Sequence, residues 1–379
     1  MSEHALEYSI ATSWDDALLH DLTALNGKAN GARIGEIYGS HRITPIGSGR
    51  PTYRLPDVSA EAFTRHLALA RKLGFGFNYV LNAPSFDGRE RSTEWLREIA
   101  GFIEGLVAAG VERVTIANPT LLGFVRERFP ALRISVSLIA GVDTPDAARR
   151  FEDMGADLIV LSPFTVNRDF ATLRAIRAAV GCQLELYANI PCLDRCSMRD
   201  AHYRYSGRAS QADVKTDVTY DPFLLKCSLA YLSDPVNLLR SPFIRPEDVE
   251  AYGEIGINVI KLSDRTESSA FLLETAGAYL AGHYDGDLFH LVFRAGRKFR
   301  AGLGRNASTI ADLALPVRID NARLSALNFI EHIRDVPEAA LTDFYEYATR
   351  EAVSVPDEGT LSRWRTVLAA NPIAADLSR

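Results

Sequence analysis

The chain has 379 residues, of which 47% are hydrophobic and 24% are charged, the balance of an ordinary folded protein. Its net charge of −6 argues against a protein that holds nucleic acid by bulk positive charge. The sequence has no apolar run of about 18 residues, no signal-peptide pattern at its start and only four cysteines. It therefore predicts a cytoplasmic protein with reduced thiols and no membrane partner.

From near residue 7 to near residue 284, short β-branched or aromatic runs alternate with amphipathic stretches. The candidate strands are EYSIAT, ARIGEIYG, FGFNYVLN, RVTIAN, LRISVSLI, ADLIVLS, CQLELYAN and NVIKLS. Helix-like stretches such as SAEAFTRHLALARKLG and TEWLREIAGFIEGLVAAG lie between them and end at a glycine. Eight such units predict an α/β fold, a (β/α)8 TIM-like barrel, over residues 1–284. A doubly wound open sheet is the alternative, but no G-x-G-x-x-G follows the first strand.

The alternation breaks after the seventh predicted strand, where residues 191–243 form a long connection. Connections of this length are usually functional or disordered, and this one leaves the face where barrel enzymes carry their chemistry. After residue 284 the alternation stops, and LSALNFIEHI and LTDFYEYATREAV predict helices. Residues 285–379 are therefore expected to form a mainly helical extension. The basic run FRAGRKFRAGLGR is interpreted as a solvated helix face rather than a nucleic-acid contact.

Three of the four cysteines fall on the long connection. Cys192 and Cys196 are four residues apart, and His202 and Cys227 follow. Thiolate and imidazole ligands suit zinc or an iron–sulfur cluster. Cys182 opens the seventh strand, roughly 25–30 Å from the loop at about 3.3 Å per residue, and is expected to lie at the bottom of the barrel. Two buried thiols and a surface histidine are the alternative interpretation.

Charged residues at the end of the last strand are candidates for a pocket on the same face. Lys261, Asp264 and Arg265 are the candidate catalytic residues, because they can bind an anionic substrate or relay protons. A local ion pair that closes the barrel is the alternative. Tyr38, at another predicted strand end, is a candidate substrate-binding residue. Arg245 is a second such candidate, although it also suits a helix cap.

Three predicted strands end in an asparagine shortly before a proline. Asn82 stands in LNAP, Asn118 in ANP and Asn189 in ANIP. Turn chemistry alone can explain this pattern. The three carboxamides are also candidate substrate-binding groups, since strand ends meet on one face of a barrel.

Two stretches resemble a known family. LELYANIPCLDRCSMRDAHY and LLRSPFIRPEDVEAYGEIGINVIKLSDRTESSAFLLETAGAYLAG resemble peptidase family U32, the collagenase-like peptidases. The resemblance is at the level of motifs over about residues 182–284, and over residues 1–181 it rests on the barrel pattern. RIDNARLSALNFIEHI resembles the Asp-Asn stretch of the family, without the cysteines that often follow it.

The resemblance implies a [4Fe-4S] cluster, since members of this family carry one on conserved cysteines. It carries over to Cys192, Cys196 and Cys227 and leaves the fourth ligand open, with His202, the substrate or another group as candidates. The spacing of the cysteines alone does not distinguish zinc from iron–sulfur.

Three functions stay open at this point. The resemblance implies an iron–sulfur redox enzyme, because several relatives take part in oxygen-independent hydroxylation of ubiquinone precursors or RNA bases. A small organic substrate and an electron donor or other protein partner would go with it. The second is a metal-dependent peptidase or hydrolase, although neither G-x-S-x-G nor H-E-x-x-H is present. The third is a non-catalytic accessory subunit with a structural metal.

Overall fold

The computed structural model describes residues 6–29, 31–50, 55–212, 221–294, 317–336 and 340–369. Eight parallel strands close into a barrel in chain order, with the first strand paired to the eighth. The predicted (β/α)8 fold is confirmed. The strands are β1 Glu7–Ala11, β2 Arg33–Gly39, β3 Gly76–Leu81, β4 Arg113–Ile116, β5 Arg133–Val136, β6 Leu158–Val160, β7 Gln183–Tyr187 and β8 Val259–Leu262.

Helices follow the strands and surround the barrel. Most begin at a Ser, Thr, Asp or Asn whose side chain accepts a hydrogen bond from the first turn, as N-caps do. The barrel helices are α1 Asp16–Asn26, α2 Ala60–Lys72, α3 Thr93–Ala108, α4 Pro119–Arg128, α5 Pro145–Asp153, α6 Pro163–Val166, α7 Phe170–Ala179, α8 Arg199–Arg208, α9 Pro222–Ser233, α10 Val236–Arg240, α11 Val249–Gly253 and α12 Ser269–Ala281.

The strands alternate between an apolar outer face and a partly polar interior. Residues such as Ile10 and Ile37 are fully buried against the helices. Their neighbours Ser9 and Glu36 face the interior, where the Ser9 hydroxyl lies 3.1 Å from Oε1 of Glu36. The interior polar layer continues around the barrel through further strands; its other members are Asn78, Thr115, Ser135, Glu185 and Lys261. This layer places charged groups directly beneath the mouth of the barrel.

The connection between β7 and β8 contains α8, α9, α10 and α11. Helix α9 begins at a capping Asp221, one of whose carboxylate oxygens accepts from two backbone N–H groups at 3.1 Å. Pro222 follows in the first helical position, where its missing N–H costs nothing. The polar run of this connection lies partly outside the described residues.

The chain beyond β8 forms further helices and a short two-stranded sheet in which β9 and β10 are antiparallel. These elements are α13 Leu288–Phe293, β9 Arg318–Ile319, α14 Asn321–Ala326, α15 Phe329–Arg334, α16 Thr342–Ala352, β10 Val353–Ser354 and α17 Glu358–Ala369. LSALNFIEHI, predicted as one helix, is divided between α14 and α15. Asn328 at the division has φ of 51°, a left-handed conformation that asparagine tolerates better than most residues.

The basic run after Phe293 falls almost wholly outside the described residues, so its predicted role stays a prediction. Within the described ranges, none of the helices combines the length and apolarity that crossing a bilayer would require.

Candidate functional site

A cavity occupies the C-terminal mouth of the barrel, and we call its two adjoining parts, of about 60 and 290 Å³, the mouth cavity. The deeper part lies on the strand ends and the wider part lies under the cysteine-bearing connection. The residues that line both parts are Gly49, Arg50, Tyr187, Ile190, Tyr203 and Asp264. The mouth cavity therefore lies where the sequence predicted a pocket.

Lys261 lines the deeper part and is almost fully buried at the end of β8. Its Nζ lies 3.3 Å from Oε1 of Glu185 and 4.1 Å from the centre of the Tyr38 ring. Burial raises the pKa of Glu185, and the charge of Lys261 opposes that rise. The pair is suited to hold a proton beneath a bound substrate. Glu185 was not among the predicted residues, although a lone carboxylate in the strand QLELY is a usable signal.

Asp264 and Arg265 also line the mouth cavity. Asp264 pairs with Arg50, whose Nη2 lies 3.1 Å from Oδ2, so its partner comes from the loop after β2 and not from the end of β8. Arg265 donates hydrogen bonds to Ser40 and Ser48, and burial, followed by the nearby charge of Arg50, lowers the pKa of Arg265 to about 10. Two guanidinium groups and one carboxylate thus face the same space. Arg50 was missed because only the fold brings its loop to the mouth.

The three asparagines have different surroundings. Asn82 lines the mouth cavity and accepts a hydrogen bond from the Gly49 backbone at 2.8 Å. Asn118 instead caps α4, where two backbone N–H groups use its oxygen. Asn189 is fully buried, and both ends of its carboxamide bond to Ser263. The turn interpretation therefore describes Asn118, and Asn189 joins the ends of β7 and β8.

Tyr38 lines the mouth cavity and donates its hydroxyl to the Leu262 carbonyl at 2.8 Å. Arg245 does not reach the cavity, and its predicted substrate contact is corrected here. Its guanidinium donates to both carboxylate oxygens of buried Asp248, at 2.8 and 2.6 Å, and to Ser325 at 3.0 Å. These bonds point it toward the C-terminal helices.

Cys192, Cys196, Cys227 and His202 line one further cavity of about 330 Å³, which we call the thiol cavity. All four cysteines of the chain are thiols rather than disulfides. Burial raises the pKa of Tyr231, and the three cysteines raise it further. The residues predicted to act together are thus adjacent in space.

Cys182 lies apart from this cavity, just before the first residue of β7. Its backbone N–H donates to Glu152, and burial, followed by that carboxylate, raises the pKa of the Cys182 thiol to about 12. Such a thiol stays protonated at neutral pH and is a poor metal ligand.

His202 is oriented by a carboxylate. Its Nε2 lies 3.0 Å from Oδ2 of Asp221, and its ring stacks on Phe223 with centres 5.0 Å apart. Histidines that bind metals usually donate their second ring N–H to a carboxylate in this way. Asp221 uses its other oxygen to cap α9, so one side chain holds both the imidazole and the start of the helix that carries Cys227.

The three thiols and the imidazole line one space without forming a compact single-ion site. In the described part of the chain, no group of three or more His, Cys, Asp or Glu side chains is placed to hold one metal ion. A tetrahedral zinc site needs such a group, at about 2.0–2.3 Å from the metal.

The thiol cavity adjoins the mouth cavity. Cys192, His202 and Tyr203 line both, so they form the wall between the two spaces. Burial raises the pKa of Tyr203, and the nearby Cys192 raises it further. A group held by the three thiols would therefore lie next to a molecule bound in the barrel mouth.

Comparisons of this chain with known proteins point to one family, peptidase family U32. Residues 57–189 match the model of peptidase family U32. A protein of Methanocaldococcus jannaschii described as an uncharacterized protease is 28% identical over 247 residues, covering 65% of this chain and 72% of its own. A solved structure described as a U32 peptidase has a TM-score of 0.50 at 19% identity, covering 70% of this chain and 95% of its own. At that identity the structural likeness shows the shared fold.

Proposed function

The chain is a relative of peptidase family U32, and we propose that it is an iron–sulfur redox enzyme. Its reaction would be the oxygen-independent hydroxylation, or a related transformation, of a small organic substrate in the mouth cavity. One observation carries the proposal. Three thiols and an imidazole line a cavity that shares a wall with the polar mouth of the barrel. A metal that only stabilised the fold would not need to lie beside the mouth cavity.

Cys192, Cys196 and Cys227 would hold a [4Fe-4S] cluster, with His202 or the substrate as the fourth ligand. When bound, such a cluster supplies one-electron transfer at a potential set by its hydrogen bonds and exposure. Asp221 supports His202, as the partner of a metal-ligating histidine does.

The residues of the mouth cavity would bind the substrate and move its protons. Hydroxylation with water as the oxygen source converts R–H and H2O to R–OH, two protons and two electrons. The Lys261–Glu185 pair is buried beneath the cavity and can accept a proton. Arg50 and Arg265 can hold an anionic group of the substrate, while Asp264 keeps Arg50 in place.

A metal-dependent peptidase is the second candidate, and the description of the relatives as proteases favours it. The chain does contain a hydroxyl–imidazole–carboxylate arrangement, with Thr12 Oγ1 at 2.8 Å from His66 and Asp16 at 2.7 Å from its other nitrogen. Thr12 and His66 are each only 1% exposed and line neither the mouth nor the thiol cavity. A substrate carbonyl has no access to that hydroxyl, so this arrangement does not support the peptidase.

The test is to purify the protein without oxygen and to measure iron, sulfide, zinc and the absorption spectrum. We expect about four iron and four sulfide per chain with broad visible absorption, as for a [4Fe-4S] protein. Cys192→Ser should lose most of the iron, and Cys182→Ser, a matched change at the far end of β7, should keep it. About one zinc per chain without colour would refute the proposal and favour the hydrolase.

A further inference from the structure

A third cavity, of about 460 Å³, lies against the thiol cavity, and we call it the arginine cavity after Arg168, Arg195 and Arg240 in its lining. Phe164, Asp194 and Arg195 line both spaces. The mouth cavity and the arginine cavity have no lining residue in common, so the thiol cavity lies between them. Three parts of the chain build the arginine cavity: the cysteine loop, α6 with α10, and α16 of the C-terminal extension.

The surroundings are strongly cationic. Among the described residues that line the thiol and arginine cavities, Asp194 is the only carboxylate. Five side chains carry positive charge; they are Arg168, Arg195, Arg199, Lys226 and Arg240. The chain as a whole has a net charge of −6, so this is a local reversal of sign. A surface of this kind attracts acidic partners and accelerates their encounter.

The arginine side chains that line the arginine cavity differ in the hydrogen bonds and ion pairs that they make. Arg168 is fixed, because it donates to Tyr345 Oη at 3.0 Å and to the Phe243 carbonyl at 3.3 Å. Arg195 is 62% exposed, and its Nε lies 3.9 Å from Oδ2 of Asp194. The Arg240 side chain is partly buried, and its guanidinium makes no hydrogen bond or ion pair with the described residues. A partly buried guanidinium without such partners is suited to bind a carboxylate of another molecule.

We propose that the arginine cavity is the docking site of a small acidic one-electron carrier protein, with a carboxylate of the carrier bound to Arg240 and Arg195. This rests on the redox function proposed above, whose reaction releases two electrons. A cluster held by Cys192, Cys196 and Cys227 would supply one electron to the carrier at each docking event. The carrier would be reduced and the cluster oxidised, with no bond broken and no proton moved. Two encounters complete one hydroxylation, while the substrate stays on the opposite side of the thiol cavity.

The location favours a carrier protein over a small redox molecule in the mouth. The mouth cavity must hold the substrate, whereas the arginine cavity reaches the surface at exposed Arg195. Electron carriers form small and weak interfaces in which charge sets the association rate. The proposal also gives the C-terminal extension a role, because Thr342 and Tyr345 form part of the docking site.

The test uses the anaerobically purified protein with an oxidised acidic [2Fe-2S] ferredoxin as the probe. Calorimetric titration measures binding, and stopped-flow mixing of the dithionite-reduced, desalted protein measures electron transfer. We expect Arg240→Glu and Arg195→Glu each to weaken binding and lower the second-order rate about tenfold or more at low salt, with a flatter salt dependence. Arg128→Glu is the matched control, because Arg128 ends α4 on the opposite face of the barrel, and it should leave both unchanged.

The outcomes separate the two proposals. If dithionite reduces the bound iron but neither reversal changes ferredoxin binding, the docking site is refuted and the redox function stands. Saturable binding of inorganic phosphate that depends on Arg240, without ferredoxin binding, would also refute it and assign the cavity to a small anion. Protein that binds no iron would refute the redox function, and the docking role with it.

Discussion

Arg245→Ala separates a structural from a substrate-binding role. The sequence made Arg245 a candidate for substrate contact that also suits a helix cap, whereas the structure commits this guanidinium to Asp248 and Ser325. Arg245 and Asp248 are 2% and 3% exposed. Removal of one partner of a buried pair leaves an uncompensated charge and typically costs about 3–5 kcal/mol of unfolding free energy. We expect a loss of that size, with unchanged iron content and substrate binding in the protein that remains folded.

The loss should depend on pH. Burial raises the pKa of Asp248 above its ordinary value of 3.8, and the hydrogen bond from Arg245 opposes that rise. A carboxyl whose folded pKa is raised binds more protons when folded, so stability falls as pH rises above 3.8. Without Arg245 the pKa of Asp248 rises further, so this fall in stability continues to higher pH and becomes larger. The deficit of Arg245→Ala should therefore be smaller near pH 4 than near pH 7.

Urea denaturation followed by circular dichroism at the two pH values measures both effects. Arg128→Ala is the control, because its ion pair with Glu104 is exposed and should contribute at most about 1 kcal/mol. Replacing both members of the buried pair, as Arg245→Met with Asp248→Leu, should recover most of the loss. Normal stability of Arg245→Ala together with weakened substrate binding would refute the structural assignment.

Two further predictions concern the site and its edges. Asp221→Asn should keep the cap of α9 but weaken metal binding about 10–100-fold. The measurement is the rate at which a chelator removes iron, which should be faster than in the control variant Asp234→Asn. Equal rates would contradict the role of Asp221 in holding His202. Asn118→Ala should cost about 1 kcal/mol in urea denaturation and leave substrate affinity unchanged, whereas weaker substrate binding would return Asn118 to the pocket.

The strands and the thiol site could be predicted because their signals are local. Strand alternation and a glycine after several of the helices are short-range patterns, and Cys192 and Cys196 lie on one loop. The asparagines show that the spacing between an asparagine and the following proline indicates whether the asparagine caps a helix. Asn118 directly precedes the proline that opens α4, the arrangement of an N-cap, whereas Asn82 and Asn189 have one residue between. That difference was present in the sequence and would have separated Asn118 from the other two.

Other features could not be predicted from the sequence, because they form only when the barrel closes. Arg50 belongs to the loop after β2 and reaches the mouth only because Asp264, from the loop after β8, lies beside it. Glu185 and Lys261 pair because β7 and β8 are neighbours with both side chains pointing inward. The contact of Arg245 with Ser325 links residues 80 positions apart. No local pattern encodes such pairings, since they depend on which strands and helices become neighbours.

The thiol site also depends on the C-terminal extension, although that segment lies far from the cysteines in sequence. Cys227 is carried by α9, and α17 packs against this helix through Arg365, which donates to the Leu232 carbonyl at 2.9 Å. Trp364 beside it is fully buried. The extension thus holds in place the helix that brings the third thiol to the first two. Residues 1–284 contain every predicted ligand, yet the helix that carries Cys227 also makes contacts with residues after 340.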